Sequence, residues 1–335
     1  MTESNRERVI RRGLNHIDAT RNARRPVIFV TSVGVYLPRA IETRRSIEVA
    51  REIERLGFES LWVTDHLFDT EGQILRPFPE CWTMVTAIAC ATNNIRLGPL
   101  VLSNSFRSPT LVAKMSSTLD CICRGRLNLG IGAAWFEEEH TRYGFTLRKS
   151  PKRTEALSEA LQIIIGMWTQ PEFSFPGKYY KCVRAVNEPK PIQKPHPPIC
   201  IGGKGGRILS IAAAFADIYN AAGPGPVPTP EEYVTLLKKL RDLCFKTGRD
   251  FRKVTKTWGG CVCVARNERE FEELVKRWHL DPNRAVVGTI DDCISKINDY
   301  EKAGMEGIMA IFPDLWDSGS LEMATLFADA ILNKV

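Results

Sequence analysis

Pro198-Ile-Cys-Ile-Gly-Gly-Lys-Gly-Gly-Arg207, followed by Ile208-Leu-Ser-Ile-Ala-Ala-Ala-Phe-Ala216, is the stretch whose reading decides the fold. The apolar run Ile199-Cys-Ile201, bounded by proline and glycine, predicts a strand buried on both faces. Ile208–Ala216 predicts a compact, alanine-rich helix. Gly202, Gly203, Gly205 and Gly206 make the turn between them. Glycine admits positive φ and carries no Cβ, so main-chain N–H groups can converge there on an anion. The helix start adds unpaired N–H groups and the positive end of its dipole, and Lys204 and Arg207 add mobile charge. The turn is a candidate phosphate cradle; the plainer alternative is an ordinary strand-to-helix turn. It is not a P-loop, which ends in Gly-Lys-Ser/Thr.

Working outward, the same alternation recurs. Strands are predicted at Val27–Tyr36, Leu61–Val63, Ile95–Leu102, Arg126–Ile131, Ile199–Ile201, Ala216–Asn220, Thr255–Ala265 and Gly307–Ile311. Helices are predicted at Thr43–Leu56 (with Thr43 as N-cap), Glu80–Thr92, Pro109–Cys121, Pro151–Trp168, Glu231–Thr247, Glu268–Leu280, Asp291–Ala303 and Leu321–Asn333. Eight apolar strands, nearly all separated by helices, predict an α/β chain folded as a (β/α)8 TIM barrel, with a doubly wound sheet as the alternative. The alternation breaks after strand four. Residues 136–198 hold a hairpin turning at Pro176-Gly177 and a proline-rich coil, and read as an insertion or lid. Residues 26–335 form one domain, and 1–25 a basic N-terminal extension.

A length of 335 residues, 44% hydrophobic and 25% charged, suits a globular chain with a large core. Of the formal charge of +7, residues 1–25 supply +4, with seven arginines against three acids. The remainder is mildly basic, without the aromatic-interleaved stripe of a nucleic-acid surface. An anionic small molecule is the better-matched partner. No apolar run reaches the length of a membrane span and no apolar signal core opens the chain, so a cytoplasmic location is expected.

Ten cysteines invite a metal or disulfide reading. The close pairs are Cys-x-Cys, and no histidine stands at ligand spacing, so buried, reduced and inert thiols are expected and no metal site.

Barrel chemistry gathers where strands deliver their C-terminal residues. Asp65-His66 is the sole acid–base pair there, and a histidine beside a carboxylate can move a proton near neutral pH. The plainer alternative is that Asp65 caps a turn and His66 packs. Glu137, Glu138 and Glu139 follow strand four, either as a solvated helix start or with one reaching the pocket. Gly132, Ala133 and Ala134 would let a flat ring approach the backbone.

Together these strand ends resemble the bacterial luciferase-like oxidoreductases, most closely the subgroup using the deazaflavin coenzyme F420. The matching residues run from about 30 to 313. They include Leu56-Gly-Phe-Glu-Ser-Leu-Trp-Val-Thr-Asp-His66, Arg96-Leu-Gly-Pro-Leu-Val101 with Phe106-Arg-Ser-Pro109, Gly125-Arg-Leu-Asn-Leu-Gly-Ile-Gly-Ala-Ala-Trp135, and Ile201-Gly-Gly-Lys-Gly-Gly-Arg207. The resemblance implies a barrel whose strand ends hold a tricyclic ring, with its phosphate in the turn Gly202, Gly203, Lys204, Gly205, Gly206, Arg207. It implies a cis peptide between Leu100 and Val101 behind the ring. It assigns ring or tail contacts to Asp65 and Ser103, places Gly132, Ala133 and Trp135 against the cofactor, and gives His66, with Asp65, the proton. Thr70 and Trp135 stand where sugar-phosphate and alcohol dehydrogenases of the subgroup carry tryptophan and glutamate, so their substrates do not transfer. The expected activity is hydride transfer between deazaflavin C5 and an organic substrate, in a homodimer. Two rivals stay open: an FMN-dependent monooxygenase using reduced flavin and oxygen, and a cofactor-less barrel acting as a partner subunit.

Overall fold

A computed structural model of the chain describes residues 32–37, 42–70, 72, 74–223 and 225–332. The N-terminal extension, the start of the first strand and the last residues of the closing helix lie outside these described residues. β1 (Ser32–Tyr36) leads through α1 (Thr43–Arg55) to β2 (Ser60–Val63), α2 (Cys81–Ala91), β3 (Arg96–Pro99) and its continuation β4 (Leu102–Ser103). Next come α3 (Pro109–Ile122), β5 (Leu129–Gly132), a short α4 (Glu137–Arg142), a long α5 (Ser150–Thr169), and a hairpin of β6 (Glu172–Pro176) and β7 (Lys181–Val186). The second half runs β8 (Ile199–Gly202), α6 (Gly206–Phe215), β9 (Ile218–Asn220), α7 (Pro230–Thr247), β10 (Thr255–Ala265) and α8 (Glu268–Trp278). It closes with β11 (Val286–Thr289), α9 (Ile290–Lys302), β12 (Gly307–Ile311), α10 (Pro313–Ser318) and α11 (Glu322–Ala330).

The main sheet is parallel and ordered β3-β2-β1-β12-β10-β9-β8-β5-β4. Its two ends meet. β4 pairs β5 in the register Leu102↔Ile131 and Ser103↔Gly132, and Leu97 bridges Leu127. Arg96 seals the seam from below, its guanidinium donating to Asn128 Oδ1 at 2.6 Å and to Leu127 O at 3.1 Å. β3 and β4 together fill one station, so eight parallel stations form a TIM barrel wrapped by helices. Between β3 and β4 the Leu100–Val101 peptide is cis, at the position the resemblance expects.

The core divides as a filled barrel requires. Trp62, Leu100, Cys200 and Met309 pack inside the ring, and a much larger cluster fills the layer between strands and helices. In α1 the buried side chains Val49, Ala50 and Ile53 carry the inward stripe. Its N-cap is Glu42, one residue before the expected Thr43, because the longer carboxylate reaches the Arg44 and Arg45 N–H groups at 3.0 Å each.

Three features differ from the sequence reading. The stretch 136–198 divides: α5 packs between α3 and α6 as the barrel's own crossover helix, leaving α4, the β6–β7 hairpin and the proline-rich coil as additions. β11 has no counterpart among the eight expected strands. It pairs with the outer half of β10, Val262–Ala265, which extends beyond the part of that strand bonded to β9 and β12. The cysteines are all free, and Cys81, Cys123, Cys200, Cys244, Cys263 and Cys293 are buried; Cys90, however, is exposed on the outer side of α2. Among the described residues no group of three or more histidine, cysteine or acidic side chains could hold a metal ion.

Candidate functional site

The C-terminal ends of the strands open into a cavity of about 630 Å³, within the size range of small-molecule sites. Asp65, His66, Leu100, Val101, Ser103, Gly132, Ala133, Trp135, Gly202 and Gly203, all singled out from sequence, line it. Gly132 and Gly202, which end two of the strands, leave part of its wall to backbone. A Cβ at Gly132 would stand 2.6 Å from Val101 Cγ2, so only glycine allows β5 to approach β4 so closely.

Asp65 and His66 are adjacent in sequence but have different partners. Asp65 is buried and accepts a two-pronged pair from Arg107, at 2.8 and 3.0 Å, together with the Ser103 N–H at 2.8 Å. Burial pushes the Asp65 carboxyl upward, against the pull of Arg107. Burial also pulls the guanidinium down, but its bonds to Asp65 outweigh that and leave it raised. A guanidinium does not give up its proton, so a protonated Asp65 would strand a buried cation; the pair is ionic. Arg107 also meets Glu80, the N-cap of α2. Asp65 thus ties β2, the β4–α3 loop and α2 together.

His66 turns instead to Glu139, whose two carboxylate oxygens each lie 3.1 Å from Nδ1. Glu139 also accepts the Leu67 N–H at 3.1 Å and is buried. A carboxylate only accepts, so Nδ1 carries the hydrogen, and in the neutral ring Nε2 presents a lone pair. Among the described residues Nε2 has no hydrogen-bond partner. Trp135 and Phe136 hold the ring edge-on, at 5.6 and 6.1 Å between centroids. Of the three consecutive glutamates, Glu139 is the one that reaches the cavity, delivered by the single turn and a half of α4.

A second histidine joins through hydroxyls. His140 Nδ1 lies 2.7 Å from Phe136 O, a pure acceptor, so Nδ1 carries the hydrogen. In the neutral ring its Nε2 accepts from Ser105 Oγ at 2.5 Å, and Ser105 then accepts from Ser103 Oγ at 2.8 Å. Ser103 is left facing the cavity with lone pairs.

At the glycine-rich turn, Gly202 and Gly203 line the cavity, whereas Lys204, Gly205, Gly206 and Arg207 are not part of its wall, and the last three are exposed. Gly203 has φ +137°, which L side chains rarely adopt. A Cβ on Gly205 or Gly206 would meet nothing within 4 Å, so those two glycines leave open space that the fold itself does not fill. No side chain caps α6. The Lys204 ammonium reaches across to the Gly225 and Pro226 carbonyls, and burial lowers its pKa. It is tied down as a strut and is not swinging over the turn.

The donor and acceptor set fits a flat, phosphate-tailed redox cofactor. Asn220, wholly buried at the end of β9, gives Nδ2 to Thr257 at 2.9 Å, and Thr257 gives its own hydroxyl to Tyr219 O. That fixes the amide orientation and leaves Asn220 Oδ1 without a partner in the cavity wall. A ring imide N–H or a sugar-alcohol hydroxyl would satisfy it. The turn offers room and free helix-start N–H groups for a phosphate. From sequence, Glu139 is only one of three glutamates with one open to reach the pocket, Asn220 only a strand-end residue, and Arg107 and Arg153 carry no role. Arg107 was legible only as part of the Phe106-Arg-Ser-Pro109 match.

The family model for luciferase-like monooxygenases matches residues 26–284. The FMNH(2)-dependent dimethylsulfone monooxygenase of Pseudomonas putida is 30% identical over 176 residues, 52% of this chain and 48% of the relative, so the chain spans about half of that protein. The F420-dependent glucose-6-phosphate dehydrogenase of Amycolatopsis mediterranei is 30% identical over 302 residues, 79% of this chain and 87% of the relative. Among solved structures, an F420-dependent secondary alcohol dehydrogenase in complex with an F420-acetone adduct superposes with a TM-score of 0.77 at 19% identity, covering 91% of this chain and 99% of that one. The match over most of the barrel places this chain in the luciferase-like monooxygenase family.

Proposed function

We propose that this protein is a coenzyme F420-dependent oxidoreductase acting on a small organic substrate. The observation that carries the reading is a histidine with its Nε2 free at the strand-end cavity, beside a glycine turn with room for a phosphate. The A. mediterranei relative supports F420 over the greater share of the chain. When bound, the deazaflavin supplies hydride exchange at its C5. Gly202–Arg207 would hold the phosphate through main-chain N–H groups. Leu100 and Val101 would brace the ring, and Asn220 Oδ1 and Ser103 Oγ would accept its hydrogen bonds. Gly132 and Ala133 would let the ring lie close to the backbone, with Trp135 at the rim helping to exclude water. His66 would take or give the substrate proton at Nε2, with Glu139 holding its tautomer. Asp65, paired to Arg107, would act by positioning Ser103. A homodimer accords with this reading and is tested by sedimentation.

The P. putida relative favours a second reading, an FMN-dependent monooxygenase. Titration with F420 and with FMN, followed by absorbance, separates them, since the deazaflavin absorbs at shorter wavelength. Tighter binding of F420, with turnover in His66→Ala reduced by about 10²-fold or more and cofactor affinity kept, is expected. Tight FMN binding with no response to F420 overturns the first reading. Failure to bind either favours a partner subunit without a cofactor.

A further inference from the structure

We propose that Arg153 makes a second anion subsite in this cavity, separate from the glycine turn, for a phosphate or carboxylate group. Arg153 stands in the first turn of α5 and lines both the main cavity and a side recess that opens beside Ala133. Its Nε is buried without a hydrogen-bond partner, and among the described residues its guanidinium makes no hydrogen bond and no ion pair. A buried guanidinium nitrogen left unpaired is costly, and an anion or a water that pairs with it removes that cost. The cavity holds two other charged groups capable of neutralising it, and both are taken: Asp65 by Arg107, Glu139 by His66. The recess itself has no carboxylate in its wall. It is lined by Asn104, Ser105, Thr146 and a second arginine, Arg148, which lies against the rings of Tyr179 and Tyr180 at 5.6 and 5.8 Å. The recess, of about 10 Å³, has room for a water and not for a phosphate, so the anion would meet Arg153 from the main cavity, with Arg148 behind it. A guanidinium fork matches two oxygens of one phosphate or carboxylate.

The anion could belong to the cofactor's tail or to the substrate; only the cofactor arm of the test rests on the second, flavin-binding reading given above. Inorganic phosphate binding to the purified protein is measured by equilibrium dialysis, in wild type, Arg153→Gln and Arg153→Lys, with melting temperatures as the folding control. Because the guanidinium has no protein partner, neither substitution should lower the melting temperature. Wild type is expected to bind one phosphate more than Arg153→Gln, or to bind it at least tenfold more tightly, with Arg153→Lys in between. FMN and riboflavin, which differ by the phosphate alone, are then titrated into each. If Arg153→Gln shrinks FMN's advantage over riboflavin tenfold or more, the anion is the cofactor's. If that advantage is unchanged and phosphate binding to the FMN-loaded protein is lost, the anion is the substrate's. Equal phosphate binding in wild type and Arg153→Gln, with the FMN advantage also unchanged, overturns the proposal. If wild type binds neither FMN nor riboflavin, that counts against a flavin, and the dialysis arm still decides the role of Arg153.

Discussion

Arg107→Ala tests whether Asp65 is a structural ion pair or a partner for the neighbouring histidine. The substitution removes a bidentate counter-charge from a carboxylate whose side chain is 1% exposed, Arg107's own being 12% exposed. Solvent screening is therefore slight, and breaking such a pair costs about 3–5 kcal/mol because one buried charge is left alone. Loss of the contact to Glu80, the α2 N-cap, adds to the same side. In a chain of this size each kcal/mol moves the melting temperature by about 2 °C, so a fall of about 6–10 °C is expected by differential scanning calorimetry. Asp65→Leu combined with Arg107→Leu removes both charges at once and should be less destabilised than the sum of the single changes, by about 1–3 kcal/mol. A melting temperature within about 1 °C of wild type in Arg107→Ala, or a cycle that is additive, would refute the ion-pair argument. Asp65 would then be free to serve His66.

Glu139→Gln replaces a pure acceptor by an amide that can also donate, so His66 loses its fixed tautomer. Long-range 15N correlation spectra should show the Nδ1–H form in wild type and a mixture in the variant; an unchanged spectrum counts against Glu139 as the orienting group. Gly132→Ala sets a Cβ 2.6 Å from Val101 Cγ2, a β-branched side chain with little rotamer freedom. Overpacking of that kind costs about 1–3 kcal/mol, and cofactor affinity should fall with the melting temperature; no change in either would mean the β4–β5 approach relaxes freely. Among the described cysteines, Cys90 is the exposed one, while burial pushes the Cys263 thiol up to about 12 and raises Cys200 and Cys293 as well. A thiol reagent at pH 8 should therefore label Cys90 first, and prompt labelling of Cys200 in the folded protein would contradict its place inside the barrel.

The barrel itself could be read from the chain because its signals are local. Ile199-Cys-Ile201 is apolar without alternation since both faces are covered, and the glycines after it mark a turn whatever surrounds them. The same holds for the helix at 231–247, whose Thr229 and Glu232 form a capping box in the structure. β11 escaped the reading because its place depends on the outer half of β10, which extends past the part bonded to β9 and β12.

By itself, then, the sequence determined eight parallel strands, their order of small and apolar residues, and a set of strand-end residues that had to face one rim. Only the tertiary structure decided which of those residues meet. Glu139 reaches His66 across 73 positions, Arg107 reaches Asp65 across 42, and Arg153 arrives at the same rim with no partner. The reason is physical: period and propensity act over one turn or one strand, while the choice among several glutamates and arginines is made by which carboxylate or guanidinium can be buried only if it finds the opposite charge.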